Sequence, residues 1–409
     1  MKPLSTQQTS PSEASSKWLF RFSLLVVSAT LFLILAGGLV TSHDAGLAVP
    51  DWPTSYGQWF PPMVGNVFWE HGHRMIAGTV GLLTLILAFW VQLREKRKKI
   101  KALAWLAFAM VVFQALLGGL TVILMLPDPV SIAHACLAQT FFCVLITLAY
   151  SLSTLPGLKN TLFTAEDAPG LPGVSGAVQA LYGPVLAVGN GMFPYGNVPA
   201  RGDRPRAGGR AERGPLTSED GISRLRRLLV LTLVFIYLQL ILGATIRHTP
   251  LTWPVVIHIV VAFLILIHVL LVVLRVLRLR DDFALRKWSP AVPYLSAESA
   301  EASNPPSPRL RRVRPPHSSP GKPGVFCVGG EKGWEGFESL FSHLRRSALS
   351  LGFITVCQIF LGFGAFIFTR MLAAGYAPSY GEVIFTAAHQ TLGAVILGVA
   401  FLMSLMVWR

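Results

Sequence analysis

Charge is scarce in this chain. Asp, Glu, Lys and Arg make up 13% of its 409 residues, about half of the ~25% usual in a soluble protein. That argues against a water-exposed surface over most of the fold. Acidic residues are the scarcer sign, 20 against 35 basic ones, which leaves a net charge of +15. Cysteine is scarcer still, with four residues. Cys136, Cys143 and Cys357 fall inside apolar runs and Cys327 in a basic loop. None falls where an oxidising compartment is expected, which excludes a disulfide framework and leaves small apolar side chains.

What the chain has instead is hydrophobic length. Apolar residues gather in eight blocks, at 19–40, 73–92, 102–125, 132–153, 228–247, 254–275, 347–369 and 383–408. About 20 apolar residues span a bilayer as a helix, and runs this continuous are too long for barrel strands. The fold class read from this is an all-α polytopic membrane protein, with eight transmembrane helices arranged as two similar four-helix bundles. Basic residues cluster in alternate loops: Arg94 to Lys101, 201–227 and 275–346. That asymmetry predicts both termini in the cytoplasm and contact with anionic membrane lipid. No aromatic or zinc module accompanies the charge, so nucleic acid is not expected as a partner. The tail Met1–Lys17 has no Arg and lacks transit-peptide character, and a bacterial cytoplasmic membrane is the simplest address.

The expected organisation is a tail over 1–18, a four-helix half over 19–153 and an insertion over 154–227. Helices 5 and 6 follow over 228–280, a second insertion over 281–346 and helices 7 and 8 over 347–409. Both insertions are rich in Gly, Pro, Ser and Arg and read as cytoplasmic and largely disordered.

The eight helices pair into four hairpins, and each second helix carries a histidine: His73, His134, His258 and His389. Three of the hairpins open alike. Gln114-x-x-x-Gly118 precedes His134, Gln239-x-x-x-Gly243 precedes His258, and Gln358-x-x-x-Gly362 precedes His389. The first has Gly37-Gly38 and no Gln. Such repetition points to duplication of a four-helix unit. Ionisable groups are expensive in a bilayer, so a repeated one marks a functional site. Paired imidazoles inside a helical bundle are suited to haem iron, one pair in each half. Zinc would recruit closer-spaced ligands or sulfur. His268 falls out of register, His43, His71 and His248 fall in outer loops, and His317 and His343 in the second insertion and its flank.

Glu70 stands one helical turn before His73, where a carboxylate can relay protons or stabilise positive charge; the bland alternative is an acid at a helix N-terminus. Arg74, Arg247 and Arg370 sit at outer helix ends. They suit haem propionates or, equally, the interface. The loop from Ser42 to Pro62 is dense in Pro, Gly and aromatics and reads as a structured cap on the membrane face.

Taken together, Gly37-Gly-Leu-Val40, Ala45-Gly-Leu-Ala-Val-Pro-Asp-Trp-Pro53, Glu70-His-Gly-His73-Arg74 and the repeated hairpins resemble the haem A synthase family. The resemblance covers all eight helices and leaves out the tail and both insertions. It implies an oxidoreductase that converts haem O to haem A, taking a ring methyl to a formyl group through two hydroxylations and loss of water. It implies haem b as cofactor on His258 and His389, substrate haem O on His73 and His134, and Glu70 as the catalytic acid residue. Implied partners are haem O, membrane lipid, an electron donor of unassigned identity and, as a candidate, the enzyme that makes haem O. Two departures stand out. Some members carry cysteines where this chain has Val49 and Ser55, and many carry Arg in place of Thr41. The competing readings are a two-haem electron-transfer cytochrome without haem modification, and a transporter or haem-handling protein.

Overall fold

The structure is a computed structural model describing residues 11–153, 218–249, 251–288, 330–372 and 377–408. The described residues form eight long helices, and no named strand occurs among them. They are α1 (Pro11–Ser42), α2 (Asn66–Arg94), α3 (Lys98–Ile123), α4 (Asp128–Leu152), α5 (Ser218–His248), α6 (Trp253–Trp288), α7 (Gly330–Phe366) and α8 (Tyr380–Val407). Each contains a stretch long and apolar enough to cross a membrane. This is a multi-pass membrane protein, and its spanning segments are helical because a helix satisfies every backbone donor and acceptor within itself.

The eight expected blocks correspond one to one with these helices, but several helices run further. α6 continues to Trp288 and α7 begins at Gly330, so both ends of the expected insertion over 281–346 are helical. α5 likewise begins at Ser218, inside the insertion expected over 154–227, and α1 begins within the expected tail. Apolar content marks the part of a helix that lipid needs, and polar residues extend it past that limit unseen. The remainder of both insertions, with His317 and Cys327, lies outside the described residues.

Helix ends have local causes. α4 opens on Pro127-Asp-Pro129, with Asp128 in its first turn, where proline needs no donor partner and an acid meets the helix dipole. α8 is capped by Ser379, whose hydroxyl accepts from the Glu382 backbone N–H at 3.1 Å. Between α3 and α4, Met125 and Leu126 take left-handed φ values of 60° and 58°. α7 ends in a π-helical turn, Ile367–Met371.

Packing closes α1, α2, α3 and α4 into one ring and α5, α6, α7 and α8 into another, with α4 on α8, α1 on α8 and α4 on α5 between them. This pattern is what two similar four-helix bundles give. Lipid supplies no hydrophobic drive between helices, so association depends on close packing and interhelical hydrogen bonds. One core gathers Leu87, Ile100, Phe141 and Leu148 within the first ring. Another gathers Leu229, Val272, Leu351 and Met403 within the second. A smaller cluster, Ile34, Phe142 and Ala394, lies on the seam. There Gly398 lets α8 approach α4: a Cβ on it would stand 3.0 Å from both Phe142 and Ile146. Thr140 and Tyr237 join their hydroxyls across α4 and α5 at 2.8 Å. Large apolar side chains such as Phe353, Phe360, Leu82 and Phe113 remain exposed on the outside of the bundle, the surface that lipid covers.

Candidate functional site

The four repeated histidines are placed by one device. Each ring lies against the glycine of the preceding helix in its own hairpin. His73 lies on Gly37, His134 on Gly118, His258 on Gly243 and His389 on Gly362. A Cβ on these glycines would come within 3.2, 2.9, 3.3 and 2.7 Å, respectively, of the histidine Cε1. The missing side chain is the space the imidazole occupies, which is why the spacing repeats.

The glutamines of the repeat are part of the same device. Gln114, Gln239 and Gln358 each donate from Nε2 to the backbone carbonyl of the histidine in their hairpin, at 2.9 Å in all three. Their Oε1 atoms are buried and unpartnered, as are Nδ1 of His73, His134 and His258. His389 differs, since its Nδ1 lies 3.1 Å from the Gln358 main-chain carbonyl.

The rings of His258 and His389 stand 6.1 Å apart between centroids, with their planes inclined by 60°. Two neighbouring imidazoles inside a helical bundle are the protein ligands that a haem iron would need. His73 lies within electrostatic reach of His134, on helices of the other ring. Among the described residues, no group of three or more His, Cys, Asp and Glu side chains converges on one point. Bis-imidazole ligation of a porphyrin iron needs two protein ligands only.

Beside the first pair, the loop between α1 and α2 is folded onto the bundle. Asp51 organises its turn: the carboxylate accepts from Thr54 Oγ1 at 2.6 Å, Tyr56 N–H at 2.6 Å and Gly57 N–H at 2.9 Å. The Thr54 hydroxyl and these amides hold its pKa down at about 2. Trp52, which precedes a cis proline, lays its indole on Gly119 of α3, next to the glycine under His134.

Glu70 and Arg74 fasten this loop. Glu70 is 3% exposed. Its Oε2 accepts from the Val49 N–H at 2.8 Å and its Oε1 pairs with Arg74 Nη2 at 2.6 Å. Arg74 Nη1 donates to the carbonyls of Asp51 at 2.7 Å and Thr54 at 2.8 Å, and reaches Ser55 Oγ at 3.4 Å. The sequence offers Arg74 as a propionate partner or, equally, an interfacial residue; in the structure its guanidinium lies on the loop, where three loop oxygens and a carboxylate converge. His71, expected in an outer loop, lies inside α2 and is 5% exposed, with Nδ1 2.8 Å from Ser55 Oγ. Val49 and Ser55, the two positions without cysteine, are thus both tied to α2 by hydrogen bonds.

Arg247 reaches across the seam from α5. Its Nη2 donates to Ser42 Oγ at 2.6 Å, and its Nε is buried without a partner. Ser42 also meets Thr386 Oγ1 at 2.9 Å. Thr386 stands three residues before His389, as Glu70 does before His73, a parallel that sequence reading passed over. Arg370 is exposed in the π-helical turn. His43 stacks on Trp69 with centroids 4.0 Å apart. His248 ends α5, and His268 packs edge-on to Phe235, away from the paired rings. Cys136, Cys143 and Cys357 are free thiols.

Comparison with known proteins agrees with this geometry. Residues 63–189 match a family model described as a cytochrome oxidase assembly protein. A haem A synthase of Exiguobacterium sibiricum is 34% identical over 131 residues, 31% of this chain and 44% of that protein. One from Geobacillus thermodenitrificans is 31% identical over 140 residues, 33% of this chain and 43% of the relative. One from Symbiobacterium thermophilum is 32% identical over 155 residues, 36% and 50% respectively. The matches therefore span half or less of these curated relatives. Over these stretches the chain is similar to haem A synthases.

Proposed function

We propose that the protein oxidises the haem O ring methyl to the formyl group of haem A, through a hydroxymethyl group and a geminal diol that loses water. The observation that carries this reading is the seating of histidines on glycine cradles, repeated in both rings, with a buried carboxylate one turn before His73. Haem A biosynthesis is supported by the relatives; the oxidation steps are inferred from the site. His258 and His389 would hold a resident haem b, whose chemistry is one-electron transfer. His73 and His134 would hold the substrate. The Trp52 loop would close the site at one end and exclude water. Glu70, paired with Arg74 and accepting from the Val49 amide, is placed to oppose positive charge developing near His73. Arg247, with a buried and unpartnered Nε, and Arg370 are the remaining candidates for propionates.

The bacterial cytoplasmic membrane, cytoplasmic termini, and contacts with an electron donor and the haem O-producing enzyme belong to the same proposal. The test is expression in a bacterial host that makes haem O and no haem A, followed by chromatography of membrane haems with mass detection. Haem A or its hydroxymethyl precursor should appear only with the intact gene. Haem O left unmodified in aerobic, reductant-supplied membranes would contradict the reading and favour a plain electron carrier.

A further inference from the structure

The repeated glutamines have no role in the chemistry proposed above, yet three of them make the same bond at the same length. Each sits one helical turn before the glycine cradle, so both contacts come from one face of one helix. The amide grips the ligand helix at the histidine's own carbonyl. The glycine receives the ring. A small residue four places after each histidine, Ala138, Ala262 and Gly393, keeps the approach open; at Gly393 a Cβ would lie 3.3 Å from Gln358 Nε2. A helix carbonyl that already has its i+4 partner gains little from a second donor for stability alone. A donor there does fix the axial position and rotation of the helix that carries the ring.

In one hairpin the grip is double. The Gln358 side chain donates to the His389 carbonyl, while its main-chain carbonyl lies 3.1 Å from His389 Nδ1. A hydrogen on Nδ1 pointing to a carbonyl leaves Nε2 unprotonated for a metal, which is how outer partners orient ligating histidines. The first hairpin keeps the glycine cradle and a small residue, Ala77, but has no glutamine grip. Leu33 stands where the glutamine would be, four residues before Gly37. His73 Nδ1 is buried without a partner, as are those of His134 and His258. Its helix is instead tied one residue later, through Arg74, to the Asp51–Ser55 loop.

We propose that Gln114, Gln239 and Gln358 are positioning residues that set the direction of the histidine ligands, and that His73, whose hairpin carries Leu33 in place of the glutamine, is the ligand left free to swing. This inference rests on the reading that the four histidines ligate haem iron. On it, the second ring holds its haem by two gripped ligands. The first ring holds its own by one gripped ligand, His134, and one loose one. A haem that must enter and leave would use the side where His73 yields.

The experiment uses the full-length purified protein in detergent, in four forms: wild type, Gln239→Leu, Gln358→Leu and Leu33→Gln. The readouts are the ferric low-spin electron paramagnetic resonance signal and the rate of haem transfer to an excess of an apo-haem acceptor protein. Loss of an outer partner typically costs 10–100-fold in metal affinity. Gln239→Leu should therefore broaden the low-spin signal and speed haem transfer by roughly tenfold or more. Gln358→Leu should do so less, because the main-chain acceptor for His389 survives the substitution. Leu33→Gln should slow haem loss from the first ring and sharpen its signal. A residue that only stabilised the fold would lower the yield of folded protein without altering the signal of what remains. Unchanged signals and transfer rates in both Gln→Leu variants would overturn the positioning role while leaving haem binding intact. A wild-type protein that takes up no haem would instead overturn the functional reading beneath it.

Discussion

Replacing Arg74 by Met keeps most of the side-chain stem and removes the guanidinium. The substitution deletes the bonds to the Asp51 and Thr54 carbonyls and to Ser55 Oγ, and it strands Glu70, which is 3% exposed, on a single bond from Val49 N–H. Removing one partner of a buried ion pair costs about 3–5 kcal/mol. The Arg74 side chain is 14% exposed, so the lower end applies, and about 3 kcal/mol is roughly a hundredfold in an opening equilibrium. Hydrogen exchange at the Val49, Ser55 and Gln58 amides, all bonded inside this loop or to Glu70, should therefore accelerate about a hundredfold, while α8 amides keep their protection. Acceleration below about threefold would refute the idea that Arg74 closes the loop. Glu70→Gln separates anchoring from chemistry. Its amide keeps the shape and can still accept from Val49 N–H. If Glu70 acts by charge, product formation falls with loop exchange nearly unchanged; if it acts as an anchor, the two change together.

Three further outcomes follow from the geometry. Alanine at the four cradle glycines should reduce haem retention in the order Gly362, Gly118, then Gly37 and Gly243 together, following Cβ approaches of 2.7, 2.9, 3.2 and 3.3 Å; overpacking costs about 1–3 kcal/mol, and haem-to-protein absorbance ratios read the order. Gly398→Ala should loosen the seam by a similar amount through Phe142 and Ile146, seen as a lower midpoint in thermal unfolding with both haem signatures retained. The Asp51 turn should persist in acid. Its folded pKa, about 2, lies below the ordinary carboxylate value of 3.8, so its contribution is complete well above pH 3.8 and is lost as pH falls from there towards 2; exchange at Tyr56 and Gly57 between about pH 7 and pH 5 should show no opening step.

The number of helices and the four histidines were legible because both are imposed by the bilayer. A spanning run must be apolar for about 20 residues, and an ionisable residue within it stands out. The Gln–Gly spacing was legible as repetition, but the target of the glutamine amide was not, since a backbone carbonyl leaves no trace in side-chain identity. The loop contacts of Arg74 were hidden for a related reason. Its partners are two main-chain oxygens of a loop whose path depends on Asp51, and composition shows only that the loop is rich in Pro and Gly. His71 looked like a loop residue because α2 begins at Asn66, seven residues before the apolar run. Thr386 was missed because a threonine in a helix is ordinary until Ser42 and Arg247 are seen beside it.

The central claim is a division of labour, with substrate on His73 and His134 and a resident haem on His258 and His389. Its most direct measurement is the haem inventory of purified protein from a haem O-producing host, compared among wild type, His73→Ala/His134→Ala and His258→Ala/His389→Ala. The account predicts that the first double variant keeps haem b and loses haem O and its oxidised products, while the second loses haem b. Loss of the same haem from both variants, or of neither from either, would contradict it.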